Sequence, residues 1–287
     1  MKMVNKIATL IVVGVLSLAG IILFGYNEFV TIDELQDKPV EYEIVKKWQL
    51  PEVLDEVSGI DWIGANKLAC IQDEDGFIFI FNLESSSLEQ KIKFAGPGDY
   101  EDIRIVENTA YILRSDGEIF EVRDYLSNNP KTKSYSNFLT EDQNLESLAW
   151  DKSNERLLLA IKDKEPKDDT YKGIYQFSLN RKELQKKPGY RLYMEDSLLK
   201  DRKTKLHKKL EPSALAIHPG NNNFYILDGR APQLVIADSD MKLKKRYALR
   251  EDDFAQAEGL TFSKNGRIFI SNEGKGGKAN ILEVIFK

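Results

Sequence analysis

The chain contains a single cysteine, Cys70, and two histidines, His207 and His218. One cysteine cannot form an intramolecular disulfide, and the apolar context of Cys70 in the run LACI is typical of a small buried residue. Two histidines are too few for zinc sites or catalytic schemes that need several imidazoles. The functional groups that remain are carboxylates, amines and hydroxyls.

An excess of positive charge is also missing. The 41 lysines and arginines are outnumbered by 46 aspartates and glutamates, which gives a net charge of −5. Proteins that bind nucleic acid carry a basic patch or stripe. We therefore expect no nucleic-acid partner.

Long apolar runs are absent except at the N-terminus, where residues 7–25 give 19 positions without a charge. A helix needs about 20 such residues to cross a bilayer. No small-residue cleavage site follows, and Ile21 stands where a lipoprotein signal would have cysteine. Lys2 and Lys6 before the run and Glu28 after it place the N-terminus in the cytoplasm.

From this pattern we predict three regions. Residues 1–30 form a cytoplasmic stub and a transmembrane signal anchor, residues 31–39 a linker, and residues 40–287 a domain on the extracytoplasmic side. The membrane is then a partner through the N-terminal helix. A buried core helix is the alternative interpretation of the apolar run.

Five segments of the domain share one plan: a polar start, a short apolar strand, a polar turn and two further strands. They begin at Ser58, Glu101, Glu146, Ser213 and Glu258, with spacings of 43, 45, 67 and 45 residues. Blades of β-propellers repeat every ~40–50 residues with four strands each. The pattern predicts an all-β fold, a five-bladed β-propeller.

A more polar fourth strand follows most repeats, and the last repeat ends with three strands at Lys287. We expect residues 41–51 to supply its missing strand, so that an N-terminal strand closes the propeller and removes free sheet edges. The long third spacing predicts a helical insertion near residues 194–210.

Polar residues two positions apart open each repeat and therefore share a face of the first strand. The pairs are Glu56 and Ser58, Asp99 and Glu101, Asn144 and Glu146, Glu211 and Ser213, and Gln256 and Glu258. First strands line a propeller's channel, so six carboxylates converge at one mouth. Their repulsion favours a hard cation, and calcium accepts 6–8 oxygen ligands. A solvated polar channel without metal is the alternative.

Loops between the second and third strands open on the same face. They add acidic candidates near the mouth: Asp73, Asp116, Asp163, Asp228 and Glu273. For Asp73, in the run DEDG, we favour a simple turn residue.

The motifs EVSGI, YEDI, NLESLAW, EPSALAIHP, AEGLTF and ISNEG occur in order between Val40 and the C-terminus. This set resembles the SdiA-regulated domain family. The resemblance implies a five-bladed propeller that follows an N-terminal membrane segment and carries a calcium site. It implies no particular biochemical role. It places calcium ligands first at Glu101, Glu146, Glu211 and Glu258, then at Glu56. Ser147 stands where related motifs often have glycine.

Two functions compete. The first is a membrane-tethered calcium-binding platform for an unknown envelope protein or small-molecule ligand. The second is a calcium-dependent phosphoesterase or lactonase, with Glu146 or Glu258 as base. An anionic substrate would then contact one of three arginines, which are Arg104, Arg114 and Arg230. The sequence assigns no catalytic residue with certainty and leaves open whether the protein is an enzyme.

Two further sets of residues are predicted to be structural. Trp62, Trp150 and Phe262 end first strands and are expected to pack in the core between blades, with stacking against a ligand as the alternative. His218 lies at the turn far from the acidic residues.

Overall fold

The computed structural model describes residues 40–166, 168, 170–200 and 210–287. Residues 41–287 form one compact unit. The predicted anchor and linker lie outside the described residues. Within the described ranges, no helix is long and apolar enough to cross a membrane.

Five antiparallel sheets are arranged as blades, and in four of them the strands follow chain order from the inside outward. The first blade contains β2 (Val57–Gly64), β3 (Lys67–Gln72), β4 (Phe77–Asn82) and β5 (Ser87–Lys93). The second contains β6 (Tyr100–Val106), β7 (Thr109–Arg114), β8 (Ile119–Arg123) and β9 (Lys131–Tyr135). The third contains β10 (Leu145–Asp151), β11 (Arg156–Ile161), β12 (Tyr171–Ser178), β13 (Glu183–Leu184) and β14 (Tyr190–Tyr193).

The fourth blade contains β15 (Ala214–Ile217), β16 (Phe224–Asp228), β17 (Gln233–Ala237) and β18 (Leu243–Ala248). The fifth contains β19 (Ala257–Phe262), β20 (Ile268–Asn272), β21 (Asn280–Phe286) and β1 (Tyr42–Gln49). The outer strand of this sheet thus comes from the opposite end of the described chain, and it pairs antiparallel with β21.

The inner strands of the five blades form a closed ring. β2 contacts β6, β6 contacts β10, β10 contacts β15, β15 contacts β19, and β19 returns to β2. This arrangement confirms the predicted five-bladed β-propeller of four-stranded blades.

Hydrophobic cores lie between neighbouring blades. A middle strand such as β4, FIFIFN, is apolar on both faces because each face packs against another sheet. One core joins Trp48 and Phe269 of the fifth blade to Ile60 and Phe79 of the first. The outer strand β5, SLEQKIK, is polar and exposed at most positions.

The third blade departs from the common plan. Its outer strand is split into β13 and β14, which both pair with β12. Residues 194–200, at the predicted helical insertion, form turns rather than a helix. Residues 201–209 lie outside the described part.

Small residues let the inner strands approach one another near the axis. A Cβ on Gly59 would lie 2.6 Å from the Cα of Asp102, and a Cβ on Gly259 would lie 3.0 Å from the amide nitrogen of Ile60. Ser147 occupies the corresponding position in the third blade, where its hydroxyl is fully buried and donates to Pro212 O at 3.3 Å. The serine that replaces the family glycine is therefore accommodated.

Candidate functional site

A β-bulge stands at the start of the inner strand in four of the five blades. The pairing with the second strand skips one residue there, which is Ser58, Glu101, Glu146 or Glu258. A bulge leaves the extra residue unpaired and re-aims its side chain. In these four blades the polar residue that opens the repeat is therefore the one released from the sheet, at the same end of the channel.

Three of these bulge residues surround a lysine. Lys162, directly after β11, donates to Glu146 Oε2, and Glu258 and Glu101 also attract its charge. Burial lowers the pKa of Lys162, but the three carboxylates outweigh it and leave the pKa raised. Asn144 Nδ2 donates to Glu146 Oε1 at 3.0 Å, so the polar pair of this blade lies together as its spacing predicts.

The glutamates around this lysine carry more negative charge than it neutralises. Burial and repulsion from Glu146 raise the pKa of Glu258 to about 8. Burial, followed by repulsion from Glu146, also places the pKa of Glu101 well above its ordinary value. Burial raises the pKa of Glu146 itself, although Lys162 opposes that shift. The site is thus short of positive charge.

A second group of acidic residues adjoins the glutamates around Lys162. It lies where the fifth blade meets the first blade. Burial and the neighbouring carboxylates Asp73 and Glu56 raise the pKa of Glu273 to about 7. Burial, Glu56 and other carboxylates raise the pKa of Asp73 to about 6. Asp73 Oδ1 is buried without a hydrogen-bond partner among the described residues. We call the two groups together the acidic mouth: Glu56, Asp73, Glu101, Glu146, Lys162, Glu258 and Glu273.

Glu211, the remaining predicted ligand, is engaged elsewhere on the rim. Arg230 NH1 lies 3.3 Å from its Oε2, and its own backbone N–H donates to Asp228 Oδ2 at 3.0 Å. Glu56 is exposed, and its charge acts on Asp73 and Glu273 of the adjoining acidic group. The structure thus brings together Glu101, Glu146 and Glu258 most closely.

Lys162 was missed by the sequence analysis, which selected its neighbour Asp163. A backbone hydrogen bond that recurs just after the second strand identifies the structural equivalents of Lys162 in three other blades. The N–H groups of Asp73, Ser115, Lys162 and Glu273 donate to the carbonyls of Glu56, Asp99, Asn144 and Gln256, respectively. If the repeats had been aligned by the ends of their second strands rather than by their acidic residues, Lys162 would have been placed in the acidic mouth.

In the fourth blade the strand-end position belongs to Gly229, where a Cβ would lie 2.2 Å from Ala257 O. No side chain fits there. A cavity of about 550 Å³ opens beside it, lined among others by Lys162, Arg230, Gln256, Glu258 and Lys275. A site of this size admits a small ligand.

Below the acidic mouth the channel is closed by an arginine. Arg104 NH1 donates to Ile60 O at 3.0 Å, and NH2 donates to Leu215 O at 2.9 Å and Leu260 O at 3.1 Å. Arg104 is 4 % exposed and ion-paired with Asp102 at 2.8 Å. The interpretation of Arg104 as a substrate-binding group is therefore wrong, because its donors are bound to backbone carbonyls.

Three further side chains complete this closure. Asp102 Oδ2 accepts from Leu148 N at 2.8 Å, and Asp61 accepts from Ile105 N at 2.7 Å and from the Thr261 hydroxyl at 2.8 Å. We call Asp61, Asp102, Arg104 and Thr261 the axial plug. It contacts the inner strands of all five blades and satisfies edge N–H and C=O groups that would otherwise be unpaired.

Of the other two arginines considered for a substrate, Arg114 is ion-paired with Asp116 at 2.7 Å and with Glu118 at 2.5 Å. Arg230 is exposed and lines the cavity at the acidic mouth. Only Arg230 is thus placed to meet a ligand there.

At the other end of the channel the inner strands finish with large apolar residues. Trp62, Trp150 and Phe262 are half-buried and line a second cavity rather than packing wholly between blades. His218 lies beside Phe262, and its Nδ1 accepts from Gly220 N at 3.0 Å. Its hydrogen bond supports a structural role in this turn.

A family model described as SdiA-regulated matches residues 34–275. The chain belongs to the SdiA-regulated family. The match includes strands of all five blades and ends before β21. A comparison with curated proteins gives no significant match.

Solved structures similar to this SdiA-regulated chain share its fold. The PQQ-bound aldose sugar dehydrogenase of Streptomyces coelicolor aligns with a TM-score of 0.53 at 13% identity, over 87% of this chain and 99% of that one. A luciferin-regenerating enzyme aligns with a TM-score of 0.51 at 9% identity, over 86% and 95% of the chains. A streptogramin B lyase gives 0.50 at 11%, over 86% and 100%. At these identities the likeness shows a propeller and nothing of the chemistry.

The oxygen donors of the acidic mouth suit a hard cation, since they are carboxylates with no histidine or cysteine among them, and the amides of Asn144 and Gln256 hydrogen-bond to two of them. Among the described residues, however, no three such side chains are placed to share one metal ion as they stand. The Lys162 ammonium takes the place of a counter-ion beside Glu146. The site of this SdiA-regulated propeller can therefore hold positive charge, exchange protons near neutral pH, or both.

Proposed function

We propose that the acidic mouth binds calcium and that the protein is a calcium-dependent recognition platform. Its N-terminal segment tethers it to the cytoplasmic membrane, and the propeller lies on the extracytoplasmic side. The observation that supports this most is the excess of negative charge on buried and half-buried carboxylates. Glu101, Glu146, Glu258 and Glu273 all have raised pKa values, and Lys162 supplies one positive charge among them.

Calcium would be held by the bulge residues Glu101, Glu146 and Glu258, with Glu56 or Glu273 from the adjoining group. A bound ion would supply the charge that the carboxylates lack and order the mouth for a ligand. Glu211 is the least suited of the predicted ligands, because Arg230 already pairs with it.

A ligand of the platform would enter the cavity of about 550 Å³ beside Glu258. Arg230 and Lys275 line this cavity together with Glu251 and Asp252. Both signs of charge are therefore available for recognition of a small molecule or an envelope protein.

The same carboxyls give a second candidate, a hydrolase. The pKa of Glu258 is raised to about 8 and that of Glu273 to about 7; both carboxyls interact with Lys162, and Glu258 lines the cavity. Groups with pKa values near the working pH are suited to general acid–base catalysis. Glu258 would take a proton from water, and Lys162 would hold the neighbouring carboxylates in place.

Thermal unfolding of the full chain in EDTA, Ca²⁺ and Mg²⁺ tests the first proposal. We expect Ca²⁺ to raise Tm more than Mg²⁺ and Glu146→Gln to reduce that rise, whereas Glu155→Gln, on an exposed turn, leaves it unchanged. Equal Tm values in all three solutions would overturn the calcium site. Phosphoester and lactone hydrolysis by the wild type, lost in Glu258→Gln, would favour the hydrolase over the platform.

A further inference from the structure

The end of the channel opposite the acidic mouth carries a ring of apolar side chains, one from each blade. They occupy corresponding positions, two residues after the buried Ile or Leu of each inner strand, and all are half-buried: Trp62, Ile105, Trp150, Ile217 and Phe262. We call this ring the aromatic mouth. Large apolar side chains gathered at one exposed place usually mark a binding surface.

The ring surrounds a cavity of about 870 Å³, which is within the range of small-molecule sites. Its walls are fixed by packing behind them. Trp62 stacks on Phe269 with ring centroids 5.2 Å apart, and Phe262 meets Tyr225 edge to face at 4.9 Å. The apolar surfaces are therefore held in place before any ligand arrives.

The floor of the cavity is polar. Asp61, Arg104 and Thr261 of the axial plug line it, and Tyr125 stands beside Asp61. Tyr125 is 3 % exposed and lines the cavity, and its hydroxyl makes no hydrogen bond to another described residue, although the oxygen atom itself is not fully buried. A hydroxyl at a cavity wall can donate to or accept from a ligand or water that enters the cavity.

Charges around the cavity balance. Lys152 and Lys264 stand on the rim with Glu107 and Asp151, and the floor sets Asp61 against Arg104. An anionic ligand would meet the carboxylates, and a cationic one the lysines and the guanidinium. Neither sign of charge is favoured.

We infer that the aromatic mouth binds an uncharged, ring-containing small molecule that carries a hydroxyl group. The ring lies against the tryptophans and Phe262, and the hydroxyl exchanges a hydrogen bond with Tyr125. This site is separate from the acidic mouth and independent of calcium.

Three probes of one shape test the charge preference: 4-hydroxybenzyl alcohol, 4-hydroxybenzoate and 4-hydroxybenzylamine. The full chain is labelled with 5-fluorotryptophan, which gives one ¹⁹F resonance each for Trp48, Trp62 and Trp150, assigned from single Trp→Phe variants. We expect the alcohol to shift the Trp62 and Trp150 resonances and to bind at least threefold more tightly than either charged probe. Trp48, 4 % exposed in a core, serves as the internal control.

Tyr125→Phe removes the hydroxyl without changing the packing, so the variant should fold and bind the alcohol about fivefold more weakly. Tyr193→Phe, at an exposed tyrosine outside the cavity, should bind as the wild type does. The inference is overturned if millimolar alcohol shifts neither Trp62 nor Trp150, or if a charged probe binds more tightly. Equal affinity in Tyr125→Phe and wild type would overturn the assigned hydrogen bond, and with it the class of ligand.

Discussion

Arg104 of the second blade reaches across the channel and donates to the carbonyl oxygen of Leu215 in the fourth blade, at 2.9 Å. The same guanidinium bonds to Ile60 of the first blade and Leu260 of the fifth. One side chain thus ties together inner strands that are far apart in the sequence. In a closed ring of blades, such a link acts on every blade interface at once.

Replacing Arg104 should therefore cost a large part of the stability. Arg104→Met leaves Asp102 buried without its ion-pair partner and several carbonyls unpaired, so we expect a loss of about 3–5 kcal/mol in urea unfolding of the full chain. Arg123→Met removes an arginine whose side chain is 60% exposed and serves as the control. A variant at Arg104 as stable as this control would show that the plug contributes little.

Lys162 offers a second prediction, concerning the competition between its ammonium and an added cation. Lys162→Met removes the positive charge beside Glu146, and we expect a lower Tm in EDTA and a larger rise on adding Ca²⁺ than in the wild type. Lys164→Met, at an exposed position two residues away, should change neither value. A smaller calcium effect in Lys162→Met would mean that the lysine assists cation binding.

The raised pKa values predict how stability changes with pH in the absence of metal. The folded protein binds more protons than the unfolded chain between the ordinary pKa of a glutamate and the folded value of about 8 for Glu258. Stability contributed by protonated Glu258 and Glu273 is thus present at low pH and is lost as pH rises through about 7 to 8.

The measurement is Tm in EDTA from pH 5 to pH 8.5. We expect Tm to fall across this range, and Glu258→Gln to flatten the slope, whereas exposed Glu52→Gln keeps it. Burial raises the pKa of Asp102 to about 7 as well, so part of the slope remains in the variant. A slope unchanged in Glu258→Gln would contradict the assigned shift.

The outer strand of the fifth blade gives a fourth prediction. In β1, Trp48 Nε1 donates to Leu83 O of the first blade at 2.7 Å, and the Tyr42 hydroxyl donates to Asp253 at 2.6 Å. A chain that begins at Val40 should unfold cooperatively, because it keeps this strand. A chain that begins at Pro51 exposes the edge of β21 and should aggregate or lose its sharp transition. Equal transitions in circular dichroism would show that β1 is dispensable.

The blade pattern could be predicted from the sequence because each repeat is local: polar start, apolar strand and turn follow one another within some 45 residues. The convergence of Glu101, Glu146 and Glu258 followed from the same alignment. The bulges that release these side chains left no sequence signal, since they depend on register with the second strand.

The role of Arg104 was misjudged, because its contacts in the axial plug are with residues far away in the sequence. A charged pair two positions apart inside an apolar strand, Asp102 and Arg104 in DIRIV, was the available signal. Lys162 was missed because acidic residues rather than strand ends were aligned. Trp62 and Trp150 do pack against hydrophobic cores, as expected, but they also line a cavity, because hydrophobicity alone does not distinguish an interior residue from one that lines a cavity.

The axial plug also decides what can pass through the molecule. Arg104 and Asp102 are buried between the inner strands and bonded to them, so these side chains obstruct the axis between the acidic mouth and the aromatic mouth. The propeller therefore has two separate cavities, one at each end, and not a continuous channel. A ligand at one mouth can influence the other mouth only by moving the inner strands. Arg104 is hydrogen-bonded to several of these strands and would move with them.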